Sequence, residues 1–220
     1  MIGADGVRSQ VRRHLFPDAP APVYTGQACW RAVLPRPADV VRPRTYMGIR
    51  EKAGVNPVSA NEMYLYLNNP EPEHQLPDET ELPRMLAQRL AHFGGLIATI
   101  REGLGPRSRV LYRPLDQLVM PSPWYRGRVL LIGDAVHATT PHMASGAGIA
   151  VEDALALAEE LASASTVETA LENFMARRYQ RCRSVVEYSV RLGQLEQQGG
   201  QHEEHLRVQH TAGALLSAEY

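Results

Sequence analysis

The sequence predicts a fold that mixes helices and strands, of the α/β or α+β class. The first indication is an apolar run over residues 129–132 that stops at Gly133-Asp134, as a buried strand does at a tight turn. The second is the segment Gly146-Ala147-Gly148, which opens a helix whose apolar positions continue to about Ala162. A content of 44% hydrophobic and 21% charged residues is ordinary for a globular chain.

The first third of the chain is predicted to contain one short helix and three strands, separated by proline-rich turns. The predicted helix covers residues 7–16, and the predicted strands cover residues 23–34, 45–49 and 62–67. Because side chains alternate along a strand, Tyr64 and Tyr66 are expected to share one face. The Gly, Asn, Pro and Ser residues within 52–60 predict a loop.

Capping signals predict where the later helices begin. Asp78-x-x-Glu81 and Ser165-x-x-Glu168 both have the spacing of a capping pair. The first of these helices is expected to end at Gly94-Gly95, and the tail after Gly199-Gly200 is expected to fray. The other predicted elements are a helix over 96–104, a strand over 110–118 that returns to the Gly133-Asp134 sheet, and a long helix to about residue 192.

Charge and cysteine content favour a cytoplasmic protein that binds neither nucleic acid nor membrane. The net charge is −1, which gives no basis for attraction to a polyanion. Cys29 and Cys182 lie far apart and suit a reduced protein better than a disulfide scaffold. Met1 is not followed by a signal peptide, and no apolar stretch approaches the roughly 20 residues that cross a bilayer.

Asp134 is the strongest candidate for a ligand-binding residue. In α/β sheets ligands bind outside the carboxyl ends of the strands, where Asp134 would project. Its carboxylate could accept hydrogen bonds from sugar-alcohol hydroxyls, while the nearby helix start offers unpaired N–H groups and the positive end of a dipole. The alternative is a structural aspartate that caps a turn or a helix.

Two motifs resemble those of the flavin-dependent aromatic hydroxylases of the p-hydroxybenzoate hydroxylase type. One runs from Gly133-Asp134-Ala135-Val136-His137 through Pro141 to Glu152-Asp153-Ala154, and the other from Gly3-Ala4-Asp5-Gly6 to Val11-Arg12. The resemblance extends to about residue 195. The family's opening Gly-x-Gly-x-x-Gly unit is not found in this sequence, so we expect the C-terminal portion of a flavoprotein, arising from a truncated gene, a misplaced start or a deliberate fragment.

The resemblance implies an α/β fold with an α+β insert: an incomplete FAD-binding domain, an inserted mixed-sheet substrate domain and C-terminal helices. The implied division is residues 1–16 and 116–165 for the FAD-binding domain, 17–115 for the substrate domain and 166–220 for the helices.

The resemblance also implies which residues bind FAD. Backbone N–H groups at the helix start would face the flavin and stabilise negative charge there, although small residues could equally serve close packing. Asp5 could equally be a structural helix cap. Where the family has Gly-Gln, this chain has Ala144-Ser145, and Ala144 would be strained if the loop needs a positive φ. The implied FAD-binding residues are Gly133, Asp134, Pro141, Gly146, Ala147, Gly148, Asp5, Gly6 and Arg8.

Candidate substrate residues come from the insert and from the loop after Pro141. Arg31 could pair with a carboxylate or phenolate, Tyr64 and Tyr66 could orient a ring hydroxyl, and His142 could face substrate. For each residue of the insert, an ordinary structural role in the sheet is equally probable.

A metal site built from Asp134, His137 and His142 is not expected. The spacing is unlike that of a helical zinc pair, and no third nitrogen or sulfur ligand is evident in the sequence. We expect His137 to hydrogen-bond its own loop instead.

The implied activity is hydroxylation of a small, electron-rich aromatic molecule by an FAD-dependent monooxygenase that uses NAD(P)H and O₂. The cofactor carries this chemistry, so no single catalytic residue is named. An epoxidase, a halogenase or a flavin reductase on the same fold is a rival interpretation. Another is a non-catalytic fragment or subunit that needs a separately encoded N-terminal half; a homodimer is a further possibility.

Overall fold

The structure is a computed structural model that describes residues 1–220, and the chain divides into two compact units. Unit 1 comprises Met1–Thr25, Asp116–Leu195 and His202–Tyr220, whereas unit 2 comprises Gly26–Leu115 and Glu196–Gln201. Unit 1 is therefore assembled from segments on both sides of unit 2 in the sequence. No helix has the length and apolar character needed to cross a lipid bilayer.

Eight strands and seven helices make up the fold. The strands are β1 (Ile2–Gly3), β2 (Val23–Pro35), β3 (Arg44–Met47), β4 (Lys52–Pro57), β5 (Glu62–Pro70), β6 (Val110–Gln117), β7 (Tyr125–Arg126) and β8 (Val129–Leu131). The helices are α1 (Gln10–Leu15), α2 (Leu82–Arg89), α3 (Gly95–Gly103), α4 (Asp134–His137), α5 (Gly146–Ser163), α6 (Val167–Gln198) and α7 (His202–Ser217).

Unit 1 is built on a small sheet with the strand order β1-β8-β7, in which β1 is an edge strand. Strand β1 runs parallel to β8, with Gly3 opposite Leu131, and β7 pairs antiparallel with β8. Gly3 allows helix α1 to pack closely on this sheet, because a Cβ there would lie 2.6 Å from Leu131 Cδ2 and 3.0 Å from Val11 Cγ1. The core of the unit includes the fully buried rings of Trp124 and Phe174.

Unit 2 is built on a five-stranded sheet with the order β3-β4-β5-β2-β6. Strands β2 and β5 pair antiparallel, with Trp30 opposite Leu67, and the alternation of side chains sends both into the core. Apolar residues of α2 and α3, such as Leu86 and Ile97, belong to the same core cluster.

Tyr64 and Tyr66 lie on the opposite face of β5, as the alternation predicted. Their ring centroids are 6.1 Å apart.

The prediction of a loop over residues 52–60 is wrong for its first half, which forms β4. Ala53 and Val55 are completely buried and alternate with residues on the other face, so the strand contributes to the core despite its weak strand propensity. Gly54 is required by a close approach, because a Cβ there would lie 2.4 Å from the ring of Tyr66.

The predicted strand over residues 110–118 exists as β6, but it joins the sheet of unit 2 and does not return to the sheet of β1 and β8. The reason is aromatic packing in the core of unit 2. The rings of Tyr112 and Trp30 meet edge to face with centroids 4.5 Å apart.

Both predicted capping pairs are misplaced. Asp78 accepts hydrogen bonds from the N–H and hydroxyl of Thr80, and α2 begins only at Leu82 without a side-chain cap. Helix α6 begins at Val167, and the hydroxyl that accepts the N–H of Thr169 belongs to Thr166, not to Ser165. In both cases a neighbouring residue competes for the local backbone donors.

The tail forms helix α7, contrary to the expected fraying. Arg181 Nη1 donates to the carbonyl oxygen of Leu215 at 2.7 Å, and Arg177 Nε donates to that of Tyr220 at 3.0 Å. Arg181 therefore satisfies a carbonyl of the last helical turn, which no residue within the helix can do, and Arg177 binds the segment that follows the helix.

Two glycine substitutions in unit 1 test this packing. We expect Gly3→Ala to lower the free energy of unfolding by about 1–3 kcal/mol, because the new methyl group overlaps Leu131 and Val11. The same change at Gly213, an exposed position within α7 with open space around it, should raise the free energy of unfolding by about 0.8–1 kcal/mol. Urea unfolding followed by circular dichroism measures both, and equal effects would contradict the described packing of β1.

Candidate functional site

Asp134 lies just beyond the carboxyl end of β8, at the start of the four-residue helix α4. The preceding Gly133 has φ +61°, a conformation that favours glycine, and it turns the chain so that Asp134 is exposed. The Asp134 carboxylate has no hydrogen-bond partner within the protein. Partial removal of water raises the pKa of this carboxyl group above its ordinary value, although the nearby His137 opposes the shift. Asp134 is therefore an acceptor available to a ligand.

The N-terminus of α5 is open. The first helical hydrogen bond is donated by the N–H of Ile149 to the carbonyl of Ser145, so the N–H groups of Gly146, Ala147 and Gly148 have no partner. Ser145 makes no capping hydrogen bond with its side chain, and no atom lies within 4 Å of the position that a Cβ on Gly148 would occupy. Three unpaired backbone donors therefore lie at the positive end of an 18-residue helix.

The loop before α5 contains the one non-glycine residue with a positive φ, Ala144 at +51°. The loop therefore meets the condition under which alanine at this position is strained. The loop is held by hydrogen bonds to α6: the hydroxyls of Thr140 and Ser189 are 2.9 Å apart, and Ser189 Oγ donates to the Thr140 carbonyl at 2.7 Å. His142 Nδ1 lies 2.9 Å from Thr140 Oγ1, and Pro141 opens a single 3₁₀ turn.

A buried carboxylate, Asp153, links the turn at Gly133 to helices α5 and α6. Its Oδ2 accepts the Gly133 N–H at 2.9 Å and lies 2.6 Å from His137 Nε2. Its Oδ1 accepts Arg178 Nε at 2.9 Å and the thiol of Cys182 at 3.5 Å. The expectation that His137 bonds its own loop is therefore wrong.

These donors determine the charge state of Asp153. Burial alone would raise its pKa, but the hydrogen bonds from His137, Gly133 and Arg178 hold the pKa below its ordinary value. The carboxylate is consequently ionised at neutral pH. Its contribution to stability is present above about pH 4 and is lost only as the pH falls through the lowered value.

A sulfur atom does lie near His137, which the sequence did not reveal. The side chains of His137, Asp153 and Cys182 offer ligand atoms within 4.8 Å of one another. The guanidinium of Arg178 nevertheless occupies one carboxylate oxygen, and burial together with the charge of Asp153 raises the pKa of the Cys182 thiol. A positive charge and a protonated thiol favour a hydrogen-bonded cluster over a metal centre.

The Asp5 turn lies in unit 1 and has a structural role. Asp5 accepts the N–H groups of Gln10 and Val11 at 2.7 and 3.1 Å, and Ser9 Oγ accepts that of Arg12 at 2.8 Å. These caps delay the start of α1 to Gln10, three residues later than predicted. The turn is joined to the Asp134 region because the buried Arg12 donates to the Ala135 carbonyl at 2.6 Å.

Two further residues of the motif remain accessible. Gly6 has φ +80° and open space around it, and the side chain of Arg8 is exposed without a protein partner.

The predicted substrate residues of the insert lie together on the outer face of the sheet of unit 2. The exposed Arg31 donates from Nε to the sulfur of Cys29 at 3.4 Å, and its guanidinium lies 5.9 Å from the ring centroid of Tyr64. Partial burial raises the pKa of the Tyr64 hydroxyl, which therefore stays protonated at neutral pH. The Tyr66 hydroxyl is 3.1 Å from Thr45 Oγ1.

Three residues that organise the site were not predicted: Asp153, Arg178 and Ser189. Asp153 had a signal, since it belongs to the Glu152-Asp153-Ala154 motif. Arg178 and Ser189 had only a weak one, because they are polar residues within a helix whose neighbouring positions are buried.

Comparison with known proteins adds a family and relatives. A family model described as "FAD binding domain" matches residues 1–189. The 2-heptyl-3-hydroxy-4(1H)-quinolone synthase of Pseudomonas aeruginosa is 36% identical over 202 residues, which is 90% of this chain and 52% of that protein. The aurachin C monooxygenase/isomerase of Stigmatella aurantiaca is 33% identical over 199 residues, covering 90% and 51% respectively.

A solved structure has the same fold. Klebsiella pneumoniae HpxO complexed with FAD and uric acid aligns with a TM-score of 0.82 and 24% identity, over 96% of this chain and 55% of that one. The chain thus spans about half the length of the relatives that it matches.

The strained alanine can be tested by relieving it. We expect Ala144→Gly to raise the free energy of unfolding by about 0.5–1 kcal/mol, because the left-handed conformation costs alanine about 1–2 kcal/mol and the greater freedom of unfolded glycine returns part of the gain. Ala158→Gly, at an exposed position inside α5, should instead lower the free energy of unfolding by about 1 kcal/mol. Chemical denaturation compares the two, and the same sign for both would show that Ala144 is not strained.

Proposed function

The chain belongs to the FAD binding domain family, and from this we propose that it is part of an FAD-dependent monooxygenase that hydroxylates a small aromatic molecule with NAD(P)H and O₂. The observation that carries the proposal is the pairing of an exposed, partnerless Asp134 carboxylate with an open helix N-terminus. Both features follow β8, and they are complementary to a ligand with hydroxyl groups and an anionic portion. One relative, the aurachin C protein, is a monooxygenase by name, and the HpxO structure contains FAD.

The residues fit FAD as follows. The Asp134 carboxylate would accept hydrogen bonds from the ribityl hydroxyls, and the N–H groups of Gly146, Ala147 and Gly148 would face the edge of the flavin where negative charge develops. Bound FAD would supply the redox chemistry with O₂, as cofactors generally supply the difficult steps. Gly133 and Pro141 would shape the chain on either side of α4, between Asp134 and the start of α5. We assign Asp5, Gly6 and Arg8 to the remaining cofactor contacts.

We assign the binding of substrate to Arg31, Tyr64 and Tyr66 of unit 2, and we separately assign a substrate contact to His142 of unit 1. Arg31 has an exposed guanidinium already oriented by Cys29 and Tyr64, which suits a carboxylate or phenolate on a planar ring. The protonated Tyr64 could donate a hydrogen bond to such a substrate. No residue is assigned a covalent role, and none of the side chains named here needs to change its covalent state.

We further propose that a second polypeptide segment completes the cofactor domain, as a separately encoded N-terminal half or as part of a longer chain. Strand β1 has an open edge with Met1 and Ile2 exposed, and an edge strand presents unpaired N–H and C=O groups that can pair with a further strand. Helix α5 also exposes an apolar stripe. Its members, spaced by three or four residues, are Ala147, Val151, Leu155, Ala158 and Ala162. A second copy of the chain is the alternative occupant of this surface.

A cytoplasmic location is proposed as well. It is supported by Cys29 and Cys182, which are both free and buried, as expected of a protein kept in a reducing compartment.

The role of Asp134 can be tested by FAD binding. We expect the chain alone to bind FAD weakly or not at all, and to bind it tightly when mixed with the N-terminal half of a relative such as the quinolone synthase. In that complex Asp134→Asn should weaken FAD binding about tenfold, because a hydrogen bond to a charged acceptor contributes roughly 1.5–3 kcal/mol. Quenching of FAD fluorescence measures the affinity. The matched control is Asp18→Asn, at another exposed carboxylate of unit 1, which should leave the affinity unchanged.

Asp134→Asn should weaken FAD binding, but it should not lower the stability of the free chain. The raised pKa of Asp134 means that the folded chain disfavours the ionised carboxyl group, so stability falls as the pH rises through that value. The free energy of unfolding of Asp134→Asn at pH 7 should therefore equal or exceed that of the unsubstituted chain, by less than about 1 kcal/mol because the group is exposed. The difference should vanish below about pH 4. A stoichiometric yellow complex of the chain alone would refute the need for a second segment, and full affinity in Asp134→Asn would refute the role of Asp134.

The reaction can be tested by product analysis of the FAD-loaded complex. We expect substrate-dependent oxidation of NAD(P)H with one oxygen atom appearing in an aromatic acid or phenol. Arg31→Ala should raise KM for anionic substrates about tenfold with little change in kcat, since it removes ground-state binding. Arg84→Ala, which breaks only an exposed ion pair with Glu81, is the control. Oxidation of NAD(P)H without an oxygenated product would favour a flavin reductase, a product formed only with halide would favour a halogenase, and an epoxide would favour an epoxidase.

A further inference from the structure

Helix α6 contains a completely buried arginine, Arg178, whose side chain lies behind the candidate FAD site. The side chains of Arg178 and Asp153 are both completely buried, and Nε donates to Oδ1 at 2.9 Å. Removing two charges from water is costly, so a buried ion pair is weak support for stability in general. What such a pair provides is a fixed geometry, because neither group tolerates the loss of the other.

The Asp153 carboxylate passes this constraint to the turn that carries Asp134. Its second oxygen accepts the N–H of Gly133, the residue immediately before Asp134, at 2.9 Å. Gly133 also lies against α5, since a Cβ on it would be 3.2 Å from Ala150 Cβ. The backbone next to the candidate ligand acceptor is therefore held by a carboxylate whose own position depends on Arg178.

Arg178 also contacts the first turns of α5 directly. Its Nη2 donates to the carbonyl of Ile149 at 3.2 Å and lies 2.9 Å from the carboxylate of Glu152. Ile149 follows Gly148 directly, so the guanidinium contacts the helix start through Ile149 and is linked to the turn through Asp153, which accepts the Gly133 N–H. A lysine could not make all of these contacts at once, because it lacks the planar fork of donors.

We propose that Arg178 is a positioning residue for the cofactor site: by binding Asp153 and Ile149 together, it holds the Gly133-Asp134 turn at a fixed distance from the N-terminus of α5. This inference rests on the proposed function for its purpose, while the geometry that it describes belongs to the chain itself. Arg178 touches neither cofactor nor substrate, and it acts entirely through Asp153, Gly133 and α5.

The decisive measurement is the chemical shift of the Gly133 and Asp134 amide groups in ¹⁵N-labelled chain. In Arg178→Met the Asp153 carboxylate loses its charged partner and the Gly133 hydrogen bond must change, so both amide signals should move. Arg178→Lys keeps the charge and should restore them in part. The control is Leu171→Ala, which removes a buried apolar side chain two turns before Arg178 in the same helix and breaks no hydrogen bond to Asp153. It should lower the melting temperature but leave the two amide signals in place.

FAD affinity in the two-part complex gives the second readout. We expect about tenfold weaker binding in Arg178→Met, partial recovery in Arg178→Lys, and a change of less than about twofold in Leu171→Ala at equal loss of melting temperature. Unmoved Gly133 and Asp134 signals in either Arg178 variant would overturn the proposal. Should Arg178→Met fail to fold, the comparison of Arg178→Lys with Leu171→Ala decides the question. If the Gly133 and Asp134 signals move in the Arg178 variants but no form of the protein binds FAD, the positioning role of Arg178 is supported and the proposed function is refuted.

Discussion

The candidate site depends on one buried carboxylate. Asp153 is ionised and completely excluded from water, and it accepts hydrogen bonds from the β8 turn, from α4 and from α6. A buried charge that loses a partner costs several kcal/mol, so the donors around it have little freedom to move. The positions of Gly133 and of the helices beside it therefore follow from the need to satisfy this single group.

Two aspartates of the same region have different roles in the proposed site: Asp153 supports the fold, and Asp134 is the proposed ligand acceptor. Asp153 is buried, fully hydrogen-bonded and has a lowered pKa, whereas Asp134 is exposed, has no partner and has a raised pKa. Asp134 keeps only part of its contact with water, so its unpaired carboxylate carries a cost that hydrogen bonds from ligand hydroxyls would offset in the proposed site. The chain retains at Asp134 an acceptor that its own fold does not use, next to one that the fold uses completely.

The elements that could be predicted from the sequence are those that depend on residues close together in the chain. The strand that ends at Gly133-Asp134 and the helix that opens at Gly146 are local patterns of hydrophobicity and glycine. A departure in a local motif drew attention to Ala144, and the structure shows that its φ is positive. The sequence did not predict what depends on distant partners. The sequence of β4 predicted a loop because it contains Gly54, and the reason for that glycine is Tyr66 on the next strand. The sequence of α7 predicted fraying because the residues that hold its end, Arg177 and Arg181, belong to α6. The contact between Asp153 and Arg178 also joins different helices.

The spacing of polar residues along α6 indicates that one polar face of this helix is buried. Arg178, Cys182 and Ser189 are separated by one and by two further helical turns, so they share a face, and all three are completely buried together with Val185. Polar groups on the buried face of a helix must find partners, since otherwise they would destabilise the fold. Two of the three bind Asp153 behind the Asp134 turn, and Ser189 binds Thr140 in the loop before α5. One face of one helix thus fixes both ends of the segment between β8 and α5. This explains why a left-handed alanine persists there: strained backbone survives only where its surroundings leave it no alternative.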